Sequence, residues 1–183
     1  MPTVLHSIYQ LRVSLKGVRP PIWRRLLVPS SIKLPKLHLV LQIAMGWSDA
    51  HLHQFLRGAE RYGAPDPYNA NVRREDEVRL NALLREEGDK IDYEYDFGDG
   101  WRHEIKLEEI LPFDTGQRLP VCLKGSRACP PEDCGGPHAY RQLLDLIADE
   151  LDDEYPELRD WLPGGFDPEL FDLKTINAAL RRL

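Results

Sequence analysis

The sequence predicts one α+β domain over residues 1–183, ordered from about residue 6, with a mainly antiparallel sheet packed against several helices and a helical C-terminal third. Apolar and polar residues alternate over residues 9–16 and on both sides of a Gly-Asp-Gly turn at 98–100, which is the period of half-buried strands. Apolar residues recur at helical spacing after Pro137. Because strands and helices do not alternate regularly, the pattern favours an antiparallel sheet over parallel βαβ units.

Two strands and a helix are predicted at the start of the chain. The strand at residues 9–16 is followed by a second that begins near Ile22, because the prolines before it cannot donate ladder hydrogen bonds. Ser30 or Ser31 can cap a helix whose apolar stripe ends before Gly46, a residue suited to a helix C-cap.

The middle of the chain is predicted to hold short elements and one long loop. Weaker alternation over residues 51–62 predicts another strand, and residues 63–71, rich in Pro, Gly and Asn, predict a loop. A short helix is predicted over residues 80–86, just before the hairpin around the Gly-Asp-Gly turn. Residues 112–136 contain Pro and Gly throughout and predict a long loop, an element that often carries function.

Helices are predicted for the rest of the chain. Pro137 suits the first turn of a helix whose apolar stripe reaches Leu151. Pro156 predicts the start of another short helix. Asp167 and Asp172 can cap the last helical turns.

Composition argues against a membrane-spanning or disulfide-rich protein. With 42% hydrophobic and 30% charged residues, the chain has the balance of a globular domain. No apolar run approaches the roughly 18 residues of a membrane span, and no basic leader precedes an apolar stretch of signal-peptide length. Three cysteines are too few for a disulfide framework. We therefore expect reduced thiols, a cytoplasmic location and no membrane partner.

The net charge of −6 is distributed unevenly. The first 48 residues contain seven basic residues and no acid, whereas residues 145–160 contain eight acids against one arginine. These segments can attract each other within the fold or face different partners. An acidic chain is a poor general DNA binder, because non-specific affinity comes from cations that displace counterions from phosphates. A local nucleic-acid surface is still an alternative, and its residues would be Arg12, Lys16, Arg24 and Arg25.

Residues 93–103 concentrate aromatic, acidic and imidazole side chains. If they form a hairpin, its inward face carries the aromatics and the imidazole while charged neighbours face water. All three cysteines follow in residues 122–136, together with an acidic pair. We predict that this hairpin and this loop form a groove for a protein, a peptide or a small ligand. The predicted binding residues are Tyr95, Asp96, Asp99, Trp101, His103, Glu132 and Asp133.

Two sets of residues have the chemistry of metal ligands. One imidazole and three thiolates can complete a structural zinc tetrahedron. That set is His103, Cys122, Cys129 and Cys134. Its alternative is that the thiols are simply buried and the imidazole is a hydrogen-bonded core residue. The second set is His51 and His53 with nearby carboxylates. Its alternative is that the aspartate of the Gly-Asp-Gly turn is present only because it suits the turn. Zinc is thus the one cofactor that the residues suggest, and neither set requires it.

Six motifs, in order along nearly the whole chain, resemble the plasmid pRiA4b ORF-3-like family. They are IWRRLLVP (22–29), LHLVLQIAMGW (37–47), HLHQF (51–55), YDFGDGWRH (95–103), ACPPEDCGG (128–136) and FDPELF (166–171). The resemblance implies a compact α+β domain, often carried on plasmids or in insertion elements under a TnpR-type label, and it brings no established activity. The matching family positions are Asp96, Asp99, Trp101, His103, Pro130, Pro131, Glu132, Asp133, Gly135 and Gly136.

Three functional hypotheses follow. The first is a non-catalytic binding or accessory domain associated with plasmids or mobile elements, which uses the predicted groove. The second is a metal-dependent hydrolase or nuclease in which His51, His53, His103 and nearby carboxylates surround an activated water. The third is the nucleic-acid surface described above. A serine resolvase is not inferred, because no nucleophilic serine with an arginine cluster and no helix-turn-helix is evident in the sequence.

Overall fold

Eight strands and four helices make up the regular structure of the described residues. The computed structural model describes residues 7–64, 71–148 and 165–183. The strands are β1 (Ser7–Leu15), β2 (Trp23–Pro29), β3 (His53–Arg57), β4 (Glu60–Gly63), β5 (Val72–Arg74), β6 (Lys90–Tyr95), β7 (Trp101–Pro112) and β8 (Val121–Ser126). The helices are α1 (Leu34–Met45), α2 (Leu80–Leu83), α3 (Gly136–Ala148) and α4 (Leu173–Leu180), and a single 3-10 turn spans Glu75–Glu77.

All the strands belong to one sheet, in the order β5-β4-β3-β6-β7-β1-β2-β8. Neighbouring strands are antiparallel, except that β4 and β5 are parallel. The pairing of β3 with β6 sets His53 opposite Tyr95, and the hairpin of β6 and β7 sets Tyr95 opposite Trp101. This mostly antiparallel sheet with its helices confirms the predicted α+β class.

Several elements lie where the sequence predicts them. The strands β1 and β2, the hairpin of β6 and β7, and helices α3 and α4 follow the expected patterns. Helix α1 ends at Gly46, which has a left-handed φ of 100°. Asp172 caps α4 by accepting a hydrogen bond from the backbone N–H of Thr175. The serine cap predicted for α1 is wrong, because the N-cap residue is Lys33 and no side chain caps that end.

Other predictions need correction or lie outside the described residues. Residues 51–62 form two antiparallel strands, β3 and β4, instead of one, and β5 was not predicted. The long loop predicted over residues 112–136 contains β8, an edge strand held by β2 and by helix α4. Leu151, the helix predicted from Pro156 and most of the acidic stretch at 145–160 lie outside the described residues.

The C-terminal helix closes one edge of the sheet. The side chain of Asn177 accepts a hydrogen bond from Cys122 N and donates one to Cys122 O, both at 2.8 Å. An amide side chain therefore takes the place of a further strand beside β8. Because α4 also contacts α1, this arrangement brings the C-terminal segment next to the end of α1. Within the described ranges, no helix is both long enough and apolar enough to cross a bilayer.

Candidate functional site

The predicted hairpin and the proline-rich loop, residues 128–136, touch each other. The hydroxyl of Tyr95 at the end of β6 lies 3.0 Å from Oε1 of Glu132. Gly135 N donates to Oδ2 of Asp99 at 3.0 Å, and the backbone of Gly136 packs against the carbonyl of Asp99. The structure therefore brings together Tyr95, Asp99 and Glu132, three of the residues that the sequence analysis selected.

Trp47, just after the C-cap of α1, covers the centre of this junction. Its indole Nε1 donates to Pro130 O at 3.1 Å. Its ring lies 4.9 Å from the ring of Tyr95 and 5.1 Å, edge to face, from that of His103, measured between centroids. The sequence analysis did not select Trp47. Its position directly after Gly46 was a usable signal, because the chain leaves the helix at that glycine and turns toward the sheet.

Three of the predicted binding residues lie in the core around Trp47. Tyr95, Trp101 and His103 are all fully buried. Nδ1 of His103 is 3.1 Å from the carbonyl of Tyr93, and burial lowers the pKa of His103 to about 4. This imidazole is neutral at neutral pH and has no surface to offer a ligand. The prediction that it faces the groove is therefore corrected, because the inward face of the hairpin is covered by other side chains.

A different imidazole meets the acidic side chains. Nε2 of His51 lies 3.0 Å from Oδ1 of Asp133, 3.6 Å from Oδ2 of Asp96 and 3.8 Å from Oε2 of Glu132. We call these four residues the His51 cluster. Asp96 and Asp133 both have a left-handed φ of 57°, a conformation uncommon outside glycine but tolerated by Asp and Asn. Three predicted carboxylates thus converge, on His51 instead of His103.

A second group of titratable side chains lies under β3 and α1. Nε2 of His38 is 2.7 Å from Oδ1 of Asp49, and Nδ1 of His38 is 2.8 Å from the hydroxyl of Tyr93. The His38 ring stacks on the His53 ring at 3.5 Å, and Nε2 of His53 lies 2.9 Å from Oε2 of Glu75. Burial, and next the neighbouring His53, lower the pKa of His38.

The sequence analysis missed His38 and Glu75. A usable signal was the pair His38 and Gln42, two polar residues four apart within the apolar stripe of α1, where unpaired polar groups are costly. Gln42 donates to the hydroxyl of Tyr93 and accepts from Asp49 N, so the pair is hydrogen-bonded inside the fold.

The four predicted zinc ligands do not assemble into one site. Within the described residues, ligand atoms converge in only two groups, one of His38, Asp49 and His53 and the other of His51, Asp96 and Asp133. Cys122 lies on β8 with its Sγ 3.6 Å from Lys124 O. Burial raises the pKa of the Cys129 thiol, and burial with nearby Asp99 raises that of Cys134 to about 12.

The basic N-terminal residues are largely engaged within the fold. Arg24 is buried and donates four hydrogen bonds to the carbonyls of Trp23, Ala44, Ser126 and Arg127. Arg25 pairs with Glu108 at 2.6 Å, and Lys16 pairs with Asp92 at 2.6 Å. The guanidinium of Arg12 stacks on Trp23 at 4.1 Å from the ring centroid. These contacts reduce the charge available to phosphates.

An apolar groove of about 490 Å³ lies on the side of the proline-rich loop that faces α1 and α4. Its walls are the end of α1 around Met45 and Trp47, the loop around Pro130, and the C-terminal segment around Phe171. Two carboxylates, Glu132 and Asp172, are among its lining residues, and Arg24 is the cation among them. No residue of the predicted hairpin lines it. The groove therefore has the predicted loop as one wall, but α1 and the C-terminal segment form the other wall in place of the hairpin.

Comparisons with known proteins found a matching family model, a similar protein sequence and a similar crystal structure. A family model described as "Plasmid pRiA4b ORF-3-like protein" matches residues 7–175. The chain is 36% identical over 182 residues to the uncharacterized protein y4hQ of Sinorhizobium fredii, a match covering 95% of this chain and 91% of that one. It is similar to the crystal structure of a protein of unknown function, MM3350 from Methanosarcina mazei, with a TM-score of 0.85 and 36% identity over 93% of this chain and 97% of that one.

Proposed function

The chain belongs to the plasmid pRiA4b ORF-3-like family, and we propose that it is a non-catalytic binding domain for a ligand with an apolar body and a cationic group. The observation that carries this proposal is the apolar groove beside the proline-rich loop. A volume of about 490 Å³ lies in the usual range for ligand sites, roughly 300–1,000 Å³.

The charges around the groove favour a cationic group on the ligand. Arg24, its cation, directs its N–H groups at four backbone carbonyls, so it has little capacity left for an anion. Glu132 and Asp172 line the groove, so its lining carries two carboxylates against one guanidinium. An ammonium or guanidinium group on the ligand would therefore meet net negative charge.

The compartment and the biological setting are further parts of the proposal. We propose that the domain works in the cytoplasm, because all three cysteines are free thiols and two of them are buried, as suits a reducing environment. An accessory role in plasmids or mobile elements is supported only by the description of the family.

A titration with three eight-carbon probes tests the groove. We expect n-octylammonium to bind more tightly than n-octanol, and n-octanol more tightly than n-octanoate, with shifts at the Trp47 indole N–H in a nitrogen-15 correlation spectrum. Leu170→Ser, at a groove residue that is 58% exposed, should weaken n-octylammonium several-fold. Leu123→Ser, at a residue 40% exposed and outside the groove, is the matched control. Equal binding of all three probes, or equal loss in both variants, would contradict the proposal.

Metal-dependent hydrolysis is the second candidate, and one observation favours it: three carboxylates converge on His51. The predicted trio of imidazoles does not support it as a unit, since His51 and His53 belong to different groups and His103 is fully buried. Any activated water would therefore be held by His51 and carboxylates alone. Loss of a metal-dependent hydrolytic activity in His51→Gln, with retention in His53→Gln, is the result that would favour an enzyme.

A further inference from the structure

We propose that the His51 cluster is a binding site for a first-row transition-metal dication such as Zn²⁺, at the junction of β3, the hairpin and the proline-rich loop. Nε2 of His51 lies 3.0 Å from Oδ1 of Asp133 and 3.6 Å from Oδ2 of Asp96, and the ligand atoms of these three residues all lie within 4.8 Å of one another. Oε2 of Glu132, at 3.8 Å from Nε2, lies at the edge of this group. Ligand atoms at about 2.1 Å from a zinc ion are separated by about 3.0–3.4 Å in octahedral or tetrahedral arrangements. The distance from His51 to Asp133 falls in this range, and the distance from His51 to Asp96 exceeds it by about 0.2 Å.

The bonding of His51 leaves a ligand atom free. Its Nε2 is buried, and no group in the described ranges makes a properly aligned hydrogen bond to it, although Asp133 is only 3.0 Å away. A buried nitrogen without a partner costs free energy unless something else satisfies it. A metal ion bound to the lone pair of Nε2 would do so and would also bind the carboxylates of Asp133 and Asp96.

Asp96 and the adjoining Glu132 are each held with one oxygen turned toward His51. Oδ1 of Asp96 accepts from Gly98 N at 3.0 Å and Asp99 N at 3.3 Å, while Oδ2 faces Nε2 of His51. Oε1 of Glu132 accepts from Ser48 N and from the hydroxyls of Ser48 and Tyr95. Donors around the cluster thus fix the outer oxygens, as the surroundings of metal ligands commonly do.

Among the described residues, no lysine or arginine pairs with these carboxylates. In the described part of the chain, the ion pairs of Asp96, Glu132 and Asp133 all have His51 as their partner. The side chain of Asp96 is only 9% exposed, so its negative charge is costly without a counter-charge. A dication held by His51, Asp96 and Asp133 would supply that counter-charge.

The neighbouring group around His38 differs in this respect. Both nitrogens of His38 and the Nε2 of His53 lie 2.7–2.9 Å from oxygen partners with hydrogen-bonding geometry. That group is therefore satisfied without an ion, and we assign the metal to the His51 cluster alone. One imidazole and two carboxylates suit Zn²⁺, Mn²⁺ or Fe²⁺ better than soft ions such as Cu⁺.

Calorimetric titration with Zn²⁺, on untagged protein treated with a chelator and dialysed, tests the site. We expect one Zn²⁺ per chain and at least tenfold weaker binding in His51→Gln and in Asp133→Asn. Asparagine tolerates the left-handed backbone of position 133, and the side chain of Asp133 is 71% exposed, so the fold should be retained. The matched controls are Asp114→Asn, at another exposed turn aspartate, and His53→Gln, and both should bind Zn²⁺ like the parent protein.

Three results would overturn the proposal. The first is the absence of stoichiometric Zn²⁺ binding. The second is binding that is lost in His53→Gln but kept in His51→Gln. The third is a sulfur-to-metal charge-transfer band on Co²⁺ substitution, which would place the ion on the thiols. Ligand-field bands of Co²⁺ without the sulfur band would support the His51 cluster. Because the groove titration uses no metal, the two proposals can fail independently.

Discussion

The hydroxyl of Tyr95 lies 3.0 Å from Oε1 and 3.2 Å from Oε2 of Glu132, and this contact joins the end of β6 to the proline-rich loop. The same hydroxyl accepts a hydrogen bond from Ala50 N at 3.0 Å, so it ties a third segment to the junction. Burial, followed by the hydrogen bond to Glu132, raises the pKa of Tyr95. The phenol therefore stays protonated and remains a donor at neutral pH.

Replacing Tyr95 with Phe should destabilise the protein by about 1–3 kcal/mol, because a partly buried carboxylate and a backbone N–H lose a partner. The measurement is the free energy of unfolding in urea at pH 7. Tyr62→Phe is the control, since its hydroxyl bonds the exposed Glu60 at 2.7 Å, where water can replace it. If Tyr62→Phe lowers the free energy of unfolding by as much or more, the Tyr95 hydroxyl does not stabilise the junction as proposed.

His103 should make stability depend on pH. Its pKa is lowered by burial to about 4, against about 6.5 in an unfolded chain, so between these values only the unfolded state binds the proton. Stability is then fully present above pH 6.5 and decreases by about 3 kcal/mol as the pH falls to 4. Urea unfolding at several pH values should show this slope reduced in His103→Gln. The exposed His138→Gln is the control, and an unchanged slope in His103→Gln would refute the assignment.

Replacing Gly136 with any larger residue should destabilise the protein. Its φ is +83°, and a Cβ atom there would lie 2.6 Å from the carbonyl oxygen of Asp99. Gly88 has a φ of +97° with nothing within 4 Å, so Gly88→Ala measures the backbone penalty alone, about 1–2 kcal/mol. Gly136→Ala should cost about 1–3 kcal/mol more, because the loop must move away from the hairpin. Thermal and urea unfolding of both variants would test this, and equal losses would contradict the close approach.

Arg24 should be a structural residue that lysine cannot replace. Its planar guanidinium donates four hydrogen bonds to carbonyls on three segments, which an ammonium group cannot reproduce. Arg24→Lys should therefore cost about 2–4 kcal/mol of unfolding free energy. Arg25→Lys, which alters a partly exposed pair with Glu108, should cost at most about 1 kcal/mol. If both variants lose similarly little unfolding free energy, Arg24 is not held by the fold and could contribute to the nucleic-acid surface.

The local patterns of the sequence predicted strands and helices well where one face of an element is buried. The alternation in β1 and in the hairpin of β6 and β7 follows directly from burial on one side of the sheet. β8 was missed because its burial is supplied by β2 and by the side chain of Asn177, which lies 55 residues away from Cys122. Edge strands with irregular patterns depend on such distant partners.

The sequence by itself determined the class of fold, the hairpin, the proline-rich loop and three of the acidic residues that meet there. The tertiary structure decided which imidazole they meet. β3 pairs with β6 so that His53 lies opposite Tyr95, and His51, just before β3, therefore lies beside Asp96, just after β6. His103, on β7, is instead sealed under Trp47. Strand pairing across some forty residues and the covering of a sheet face are set by packing of the whole chain, and no local spacing encodes either of them.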